Sequence, residues 1–131
     1  MIGKLNYVFF AWASVIFLVI VIIPYILVRF NKYVLKTSNK SYLSILKFFR
    51  TIHKPSGILF AISSFIHGSM VFGTVFRLHT GSILFFIVLG TVILGILFYL
   101  KKKKQLLQSH RIFAGITFLL FMLHFFNPWI L

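Results

Sequence analysis

The chain has 131 residues, of which 60% are apolar, and it carries 14 Lys and Arg residues but no Asp or Glu. The absence of cysteine excludes disulfides, iron–sulfur clusters, thiolate zinc sites and covalently attached c-type haem. The absence of carboxylates excludes a Ser-His-Asp triad and a carboxylate cage for Mg²⁺ or Ca²⁺, so any redox or catalytic chemistry must come from other side chains or from a cofactor.

Four stretches are apolar and long enough to cross a bilayer as helices. They cover roughly residues 7–28, 55–76, 81–100 and 110–131. Because a helix satisfies its own backbone groups within lipid, they predict an all-α fold, an integral membrane four-helix bundle forming a single domain over 1–131. The first stretch is too long for a signal peptide and has no convincing cleavage site, so we expect an uncleaved helix.

The basic residues lie between the apolar stretches, as they do in membrane proteins, and not in one stripe, which argues against nucleic-acid binding. Most are in the segment 29–54 and around 101–104. The positive-inside rule therefore predicts that both segments are cytoplasmic and that both termini lie outside. The expected location is the plasma membrane of a bacterium or archaeon, or an organelle inner membrane, with lipid headgroups as contacts.

Within the segment 29–54, a few apolar side chains fall near one helical face: Tyr42, Ile45, Leu46 and Phe49. A helix here would either lie in the membrane interface or extend the second helix inward. A basic loop held by anionic headgroups is the other interpretation.

Four of the five histidines occur at two identical spacings. "HKPSGILFAISSFIH" runs from His53 to His67, and "HRIFAGITFLLFMLH" runs from His110 to His124. Fourteen residues of helix rise about 21 Å in nearly four turns, so each pair shares one helical face. The second and fourth helices should run in the same direction, which predicts two levels, His53 with His110 and His67 with His124.

Two imidazoles facing each other across a bundle are the axial ligands that a bis-histidine haem iron needs. Zinc requires three or four ligands, and each level supplies two. The spacing therefore predicts two haem b groups, one at each level. The competing interpretation is structural, because an intramembrane histidine can simply bond a neighbouring helix.

The residues between the histidines have the same offsets on both helices. They are Gly57, Phe60 and Ser64 on the second helix, and Ala114, Thr117 and Phe121 on the fourth. Small side chains at Gly57 and Ala114 would admit a flat macrocycle. Phe60 and Phe121 would fill the layer between two haems, or would be ordinary buried aromatics.

Haem propionates need cations or hydrogen-bond donors in a low-dielectric setting. Lys54 and Arg111 directly follow the inner histidines and are candidates there, and Arg77 with Thr80 and His79 are candidates at the outer level. Contact with lipid headgroups is the alternative for each. For His79 we expect a solvated loop residue.

The histidine pattern resembles the bis-histidine four-helix cytochromes b, as in quinol–cytochrome c oxidoreductases and the ferric reductase and NADPH oxidase group. "HKPSG" matches the family's glycine one turn after the first histidine, whereas "HRIFAG" places Gly115 one residue later. The resemblance implies haem ligation by His53, His67, His110 and His124. The chain lacks the flavin and nicotinamide domain of the reductases and the carboxylates of the quinol enzymes, so neither a nucleotide site nor a quinone site is implied.

Together these features predict a transmembrane di-haem cytochrome that carries electrons between its haems, with a quinol or reductase subunit as donor and a quinone or redox protein as acceptor. No residue is assigned a catalytic role. A chain of 131 residues has little room for another redox domain, so we expect a complex or homo-oligomer. The alternatives are a haem-bearing anchor subunit of a larger complex and a haem-free transporter or assembly protein.

Overall fold

The structure of the protein is a computed structural model, in which residues 2–73 and 79–128 are described. Within these residues every regular element is a helix. The elements are α1 (Ile2–Phe30), a short π-helical segment (Asn31–Leu35), α2 (Lys40–Phe72), α3 (Thr80–Lys101) and α4 (Lys104–Phe126). The predicted all-α, four-helix architecture is confirmed.

Three of these helices are long and apolar enough to cross a membrane: Asn6–Leu35, Thr80–Lys101 and Lys104–Phe126. Large apolar side chains are exposed along them, as expected for surfaces that face lipid. The predicted second span, 55–76, begins within α2, and its last residues lie outside the described part of the chain. Among the described residues, α2 is not one of these three helices, so its crossing of the membrane stays a prediction.

The segment 29–54, predicted as a basic connection, is mostly helical. The π-helical segment continues α1 to Leu35, and α2 begins at Lys40, where the Asn39 side chain accepts a hydrogen bond from the Ser41 N–H at 2.8 Å. This cap satisfies a backbone donor that a helix start leaves unpaired. Of the two helical interpretations, the structure shows that the second helix extends back through this segment to Lys40. Leu46 is buried on the side of this extension that faces the rest of the bundle.

The turn between α1 and α2 is closed by side-chain hydrogen bonds. Asn31 donates from Nδ2 to the Thr37 carbonyl at 3.1 Å and accepts from the Thr37 N–H at 2.9 Å. The Tyr42 hydroxyl donates to the Leu27 carbonyl at 2.6 Å, joining α2 to α1. These bonds hold the two helices as an antiparallel hairpin.

The bundle consists of two helix pairs, α1 along α2 and α3 along α4, with a smaller contact between α2 and α3. The buried centre is formed by Leu18 of α1, Phe60 of α2, and Leu84 and Val88 of α3, with Phe121 of α4 packed against them. Among the described residues, no Cα of α2 lies within 8 Å of a Cα of α4. The space between these two helices is therefore spanned by side chains.

Candidate functional site

Four histidines face one another across the space between α2 and α4. At one level, the ring centroids of His53 and His110 are 6.2 Å apart, with their planes at 81°. At the other level, His67 and His124 line the same cavity. The structure therefore brings the histidines together in the predicted combinations, with α2 and α4 running in the same direction.

The two histidines of α2 are each held by a backbone carbonyl of α1. His53 Nδ1 lies 3.0 Å from the Val21 oxygen, and His67 Nδ1 lies 3.1 Å from the Tyr7 oxygen. A carbonyl oxygen can only accept, so Nδ1 is the protonated nitrogen of both rings. Each neutral ring then carries its lone pair on Nε2.

The two histidines of α4 are each held by an oxygen acceptor of α3, one a backbone carbonyl and the other a side-chain hydroxyl. His110 Nδ1 donates to the Thr91 carbonyl at 2.9 Å. His124 Nδ1 lies 3.2 Å from Thr80 Oγ1, whose single proton is donated to the Pro128 carbonyl at 2.7 Å. Because the Thr80 hydroxyl proton is donated to Pro128, Thr80 Oγ1 accepts a hydrogen bond from His124 Nδ1.

All four rings are consequently fixed in one tautomer, with Nε2 available as a lone-pair donor. In the described part of the chain, no Nε2 of these four rings has a hydrogen-bond partner. An Nδ1–H bond to an oxygen acceptor is the arrangement that orients metal-binding histidines and fixes their tautomer. The same bonds also tie α1 to α2 and α3 to α4, which is the structural role of an intramembrane histidine.

The donor set fits a metal that takes two axial imidazoles. A metal–nitrogen bond of about 2.0 Å places each ring centre about 3 Å from the metal, so two coaxial rings have centroids about 6 Å apart. The 6.2 Å separation of His53 and His110 matches this value. Their nearly perpendicular planes are compatible with it, because a ring can rotate about its bond to the metal. Within the described residues, no cluster of three potential ligands suits zinc.

A cavity of about 250 Å³ lies at the level of His67 and His124. Its size approaches the roughly 300 Å³ at which pockets for small molecules begin. Besides the two histidines, its walls include three of the predicted cofactor residues, Phe60, Ser64 and Phe121. These residues surround one space, which is mostly apolar. Of the candidates predicted for the outer level, His79 also lines this space.

Phe60 and Phe121 also belong to the buried centre of the bundle, where Phe60 is only 5% exposed. They lie between the two histidine levels in sequence on both helices. Their filling of a layer between two haems, as opposed to ordinary aromatic packing, stays a prediction.

Other predicted residues lie elsewhere. Thr117 is buried, but its hydroxyl lies 3.1 Å from Thr91 Oγ1 on α3, and Ala114 is exposed. Neither lines the cavity, because the Thr117 hydroxyl is directed to α3 and Ala114 lies at the surface. A Cβ at Gly57 would meet no atom within 4 Å, which leaves space beside the inner histidines. Ser64 lines the cavity, and its hydroxyl lies 3.4 Å from Ser14 Oγ on α1.

The charged candidates also have definite positions. The Lys54 ammonium lies 3.9 Å from the centre of the Tyr99 ring. Arg111 is exposed, and Arg77 lies outside the described residues. His79 is not a solvated loop residue as expected, since it is 8% exposed and its Nδ1 accepts the Ser82 N–H at 3.1 Å as the N-cap of α3.

Two glycines of α3 contribute to the site and were not predicted from the sequence. A Cβ at Gly95 would lie 3.2 Å from His110 Cε1 and Nδ1, and a Cβ at Gly81 would lie 3.0 Å from His124 Cε1. Gly81 and Gly95 are fourteen residues apart, the same interval as the histidines. That shared interval was the available signal in the sequence.

Comparison with family models, curated proteins and solved structures finds no match for this chain. The resemblance to cytochromes b therefore depends on the histidine pattern, and the functional argument depends on the geometry of the site.

Proposed function

We propose that this protein is a membrane cytochrome that holds two haem b groups and carries electrons between two levels of the bilayer. His53 and His110 would bind one haem, and His67 and His124 the other. The histidine spacing puts the levels about 21 Å apart along the helices. The observation that carries the proposal is the common tautomer of the four rings, which presents two Nε2 lone pairs at each level.

When bound, haem b would supply one-electron redox chemistry, and the four histidines are the residues that would hold it. The protein's own residues would bind, orient and shield. Val21 and Thr91 carbonyls orient the inner rings, and the Tyr7 carbonyl and the Thr80 hydroxyl orient the outer rings. Phe60 and Phe121 would keep water out of the layer between the levels.

The charge distribution supports an orientation for this electron path. The turns after α1 and after α3 lie at the same end of the bundle, because His53 meets His110. Every Lys and Arg except Lys4 and Arg77 belongs to these turns or to the halves of the helices that adjoin them. By the positive-inside rule, the His53–His110 level would be cytoplasmic, and the termini would lie outside.

The direct test is a reduced-minus-oxidised visible spectrum of the purified protein, with haem counted per chain after expression with ample haem. We expect two non-covalent, low-spin haems per chain. A colourless protein would reject the proposal and leave the histidines as interhelical hydrogen-bond donors.

The pairing is tested by single substitutions at the four positions. His53→Ala and His110→Ala should each remove the inner haem and spare the outer one, because one level loses an axial ligand. His67→Ala and His124→Ala should do the opposite. Lys104→Gln, at an exposed residue outside both levels, is the control and should retain both haems. Retention of both haems after loss of a paired histidine would show that the assignment of ligands is wrong.

A further inference from the structure

Two ammonium groups from different helix pairs meet at one aromatic ring at the basic end of the bundle. Lys54 Nζ on α2 lies 3.9 Å from the centre of the Tyr99 ring, and Lys102 Nζ, directly after α3, lies 4.3 Å from it. The aromatic ring attracts both cations, but the two ammonium groups carry like charges that repel each other. An anion placed beside the ring would convert that repulsion into two attractions.

The chain cannot supply this anion from its side chains, since it contains no Asp or Glu. All three side chains are accessible, with Tyr99 53% exposed. The ligand must therefore come from outside the chain, and it must carry negative charge.

The conformation of Lys102 supports a role for its side chain. Its φ of 53° is in the left-handed region, which glycine favours at helix C-termini and in which other residues are strained. Because of this backbone conformation, a lysine at position 102 is less favourable for folding than a glycine would be. Its ammonium group, held against Tyr99, is the compensating feature.

The surface next to this cation pair is apolar. Ile96 lies one turn before Tyr99 on the same face of α3, Ile93 lies a further turn along, and both side chains are about half exposed. The two lysines and this stripe together match a ligand with an anionic head and an apolar tail. Free phosphate would use only the lysines.

We propose that Lys54, Tyr99 and Lys102 bind the phosphate of an anionic phospholipid whose acyl chain lies along Ile96 and Ile93. The site joins the α1–α2 pair to the α3–α4 pair, close to the contact between His53 and His110. Phospholipid binding at this site does not require haem, so the lipid site can be tested separately from the proposed function.

The test measures binding of phosphatidylglycerol to the delipidated, detergent-solubilised full chain by native mass spectrometry, with phosphatidylcholine for comparison. Lys54→Gln and Lys102→Gly should each weaken phosphatidylglycerol binding about tenfold, since each removes a charge-assisted contact. Lys102→Gly should also fold at least as stably as the parent, because glycine suits the left-handed backbone. Lys104→Gln, which removes an exposed charge of the same turn, is the control and should weaken binding by less than about twofold.

Three outcomes would overturn the proposal. Equal losses in Lys104→Gln and in the two site variants would mean that the lipid responds only to overall charge. Saturable binding of inorganic phosphate that displaces the lipid would identify a phosphate site. Loss of haem with unchanged lipid binding in Lys54→Gln would identify the anion as a haem propionate.

Discussion

Gly81 and Gly95 show how single residues orient the histidine rings. Each provides a flat patch of α3 against which imidazole rings lie. His110 lies at Gly95, and both His124 and His79 lie at Gly81. Gly95 also follows Thr91 by one turn, so no side chain covers the carbonyl that accepts the His110 proton. The absence of a side chain thus allows both the ring contact and the hydrogen bond.

Replacing these glycines should disturb one level at a time. In Gly95→Ala the new methyl would press on His110 and weaken its bond to Thr91, so we expect lower occupancy and altered low-spin spectra of the inner haem. Gly81→Ala should affect the proposed outer haem through His124, and its methyl would also press on the His79 ring. Gly115→Ala is the control, because no atom lies within 4 Å of its Cβ and alanine favours helix by about 1 kcal/mol. Equal effects of all three would mean that α3 does not position the rings.

His79 stabilises the start of α3 as a neutral N-cap. Burial lowers the pKa of His79 below its ordinary value near 6.5. The protonated ring could not accept from the Ser82 N–H and would place a positive charge at the helix N-terminus. The stabilisation is therefore complete above the unfolded-state pKa of about 6.5, and it is lost as the pH falls through the lower folded-state value.

This capping role predicts the behaviour of two variants. His79→Ala should lower the stability of the protein by about 1 kcal/mol at neutral pH, whereas His79→Asn should retain most of it. Thermal unfolding measured between about pH 5 and 8 should show a loss at the acid end that is smaller in His79→Asn. An unchanged acid response in that variant would assign the titration to another group.

At the scale of whole helices, one interval recurs in all four. Tyr7 and Val21 supply carbonyls fourteen residues apart on α1, and the histidine pairs of α2 and α4 have the same interval. Gly81 and Gly95 repeat it on α3. Since this interval is close to four helical turns, every helix presents matching groups at both levels.

The α1–α2 register depends on the turn that joins these helices. Asn31→Ala removes both hydrogen bonds to Thr37, so we expect a loss of about 1 kcal/mol in stability. The inner level should respond more than the outer one, because His53 is nearer to this turn along α2. Lys32→Ala, which removes an exposed neighbouring side chain, is the control. Thermal stability and haem spectra together would separate the effect from general unfolding.

At the scale of the molecule, the two basic turns give the bundle a charged end and an almost uncharged end. Because the chain has no cysteine, single introduced cysteines can report which end is cytoplasmic. Thr37→Cys should be protected from a membrane-impermeant maleimide in intact cells, and Asn127→Cys should be labelled. The reverse pattern would invert the orientation proposed for the two histidine levels.

The amino-acid sequence alone determined the helical class, three of the four predicted apolar spans and which histidines lie at the same level, because these depend on periodicity and rise along a single helix. It could not determine that the basic segment before His53 continues α2, since its polar side chains suit either a helix or a loop. Only the tertiary structure decided the acceptors for the four Nδ1 protons, the positions of Gly81 and Gly95 against the rings, and the turn of Thr117 toward α3. These features depend on the rotation and register of one helix against another, which local sequence does not specify.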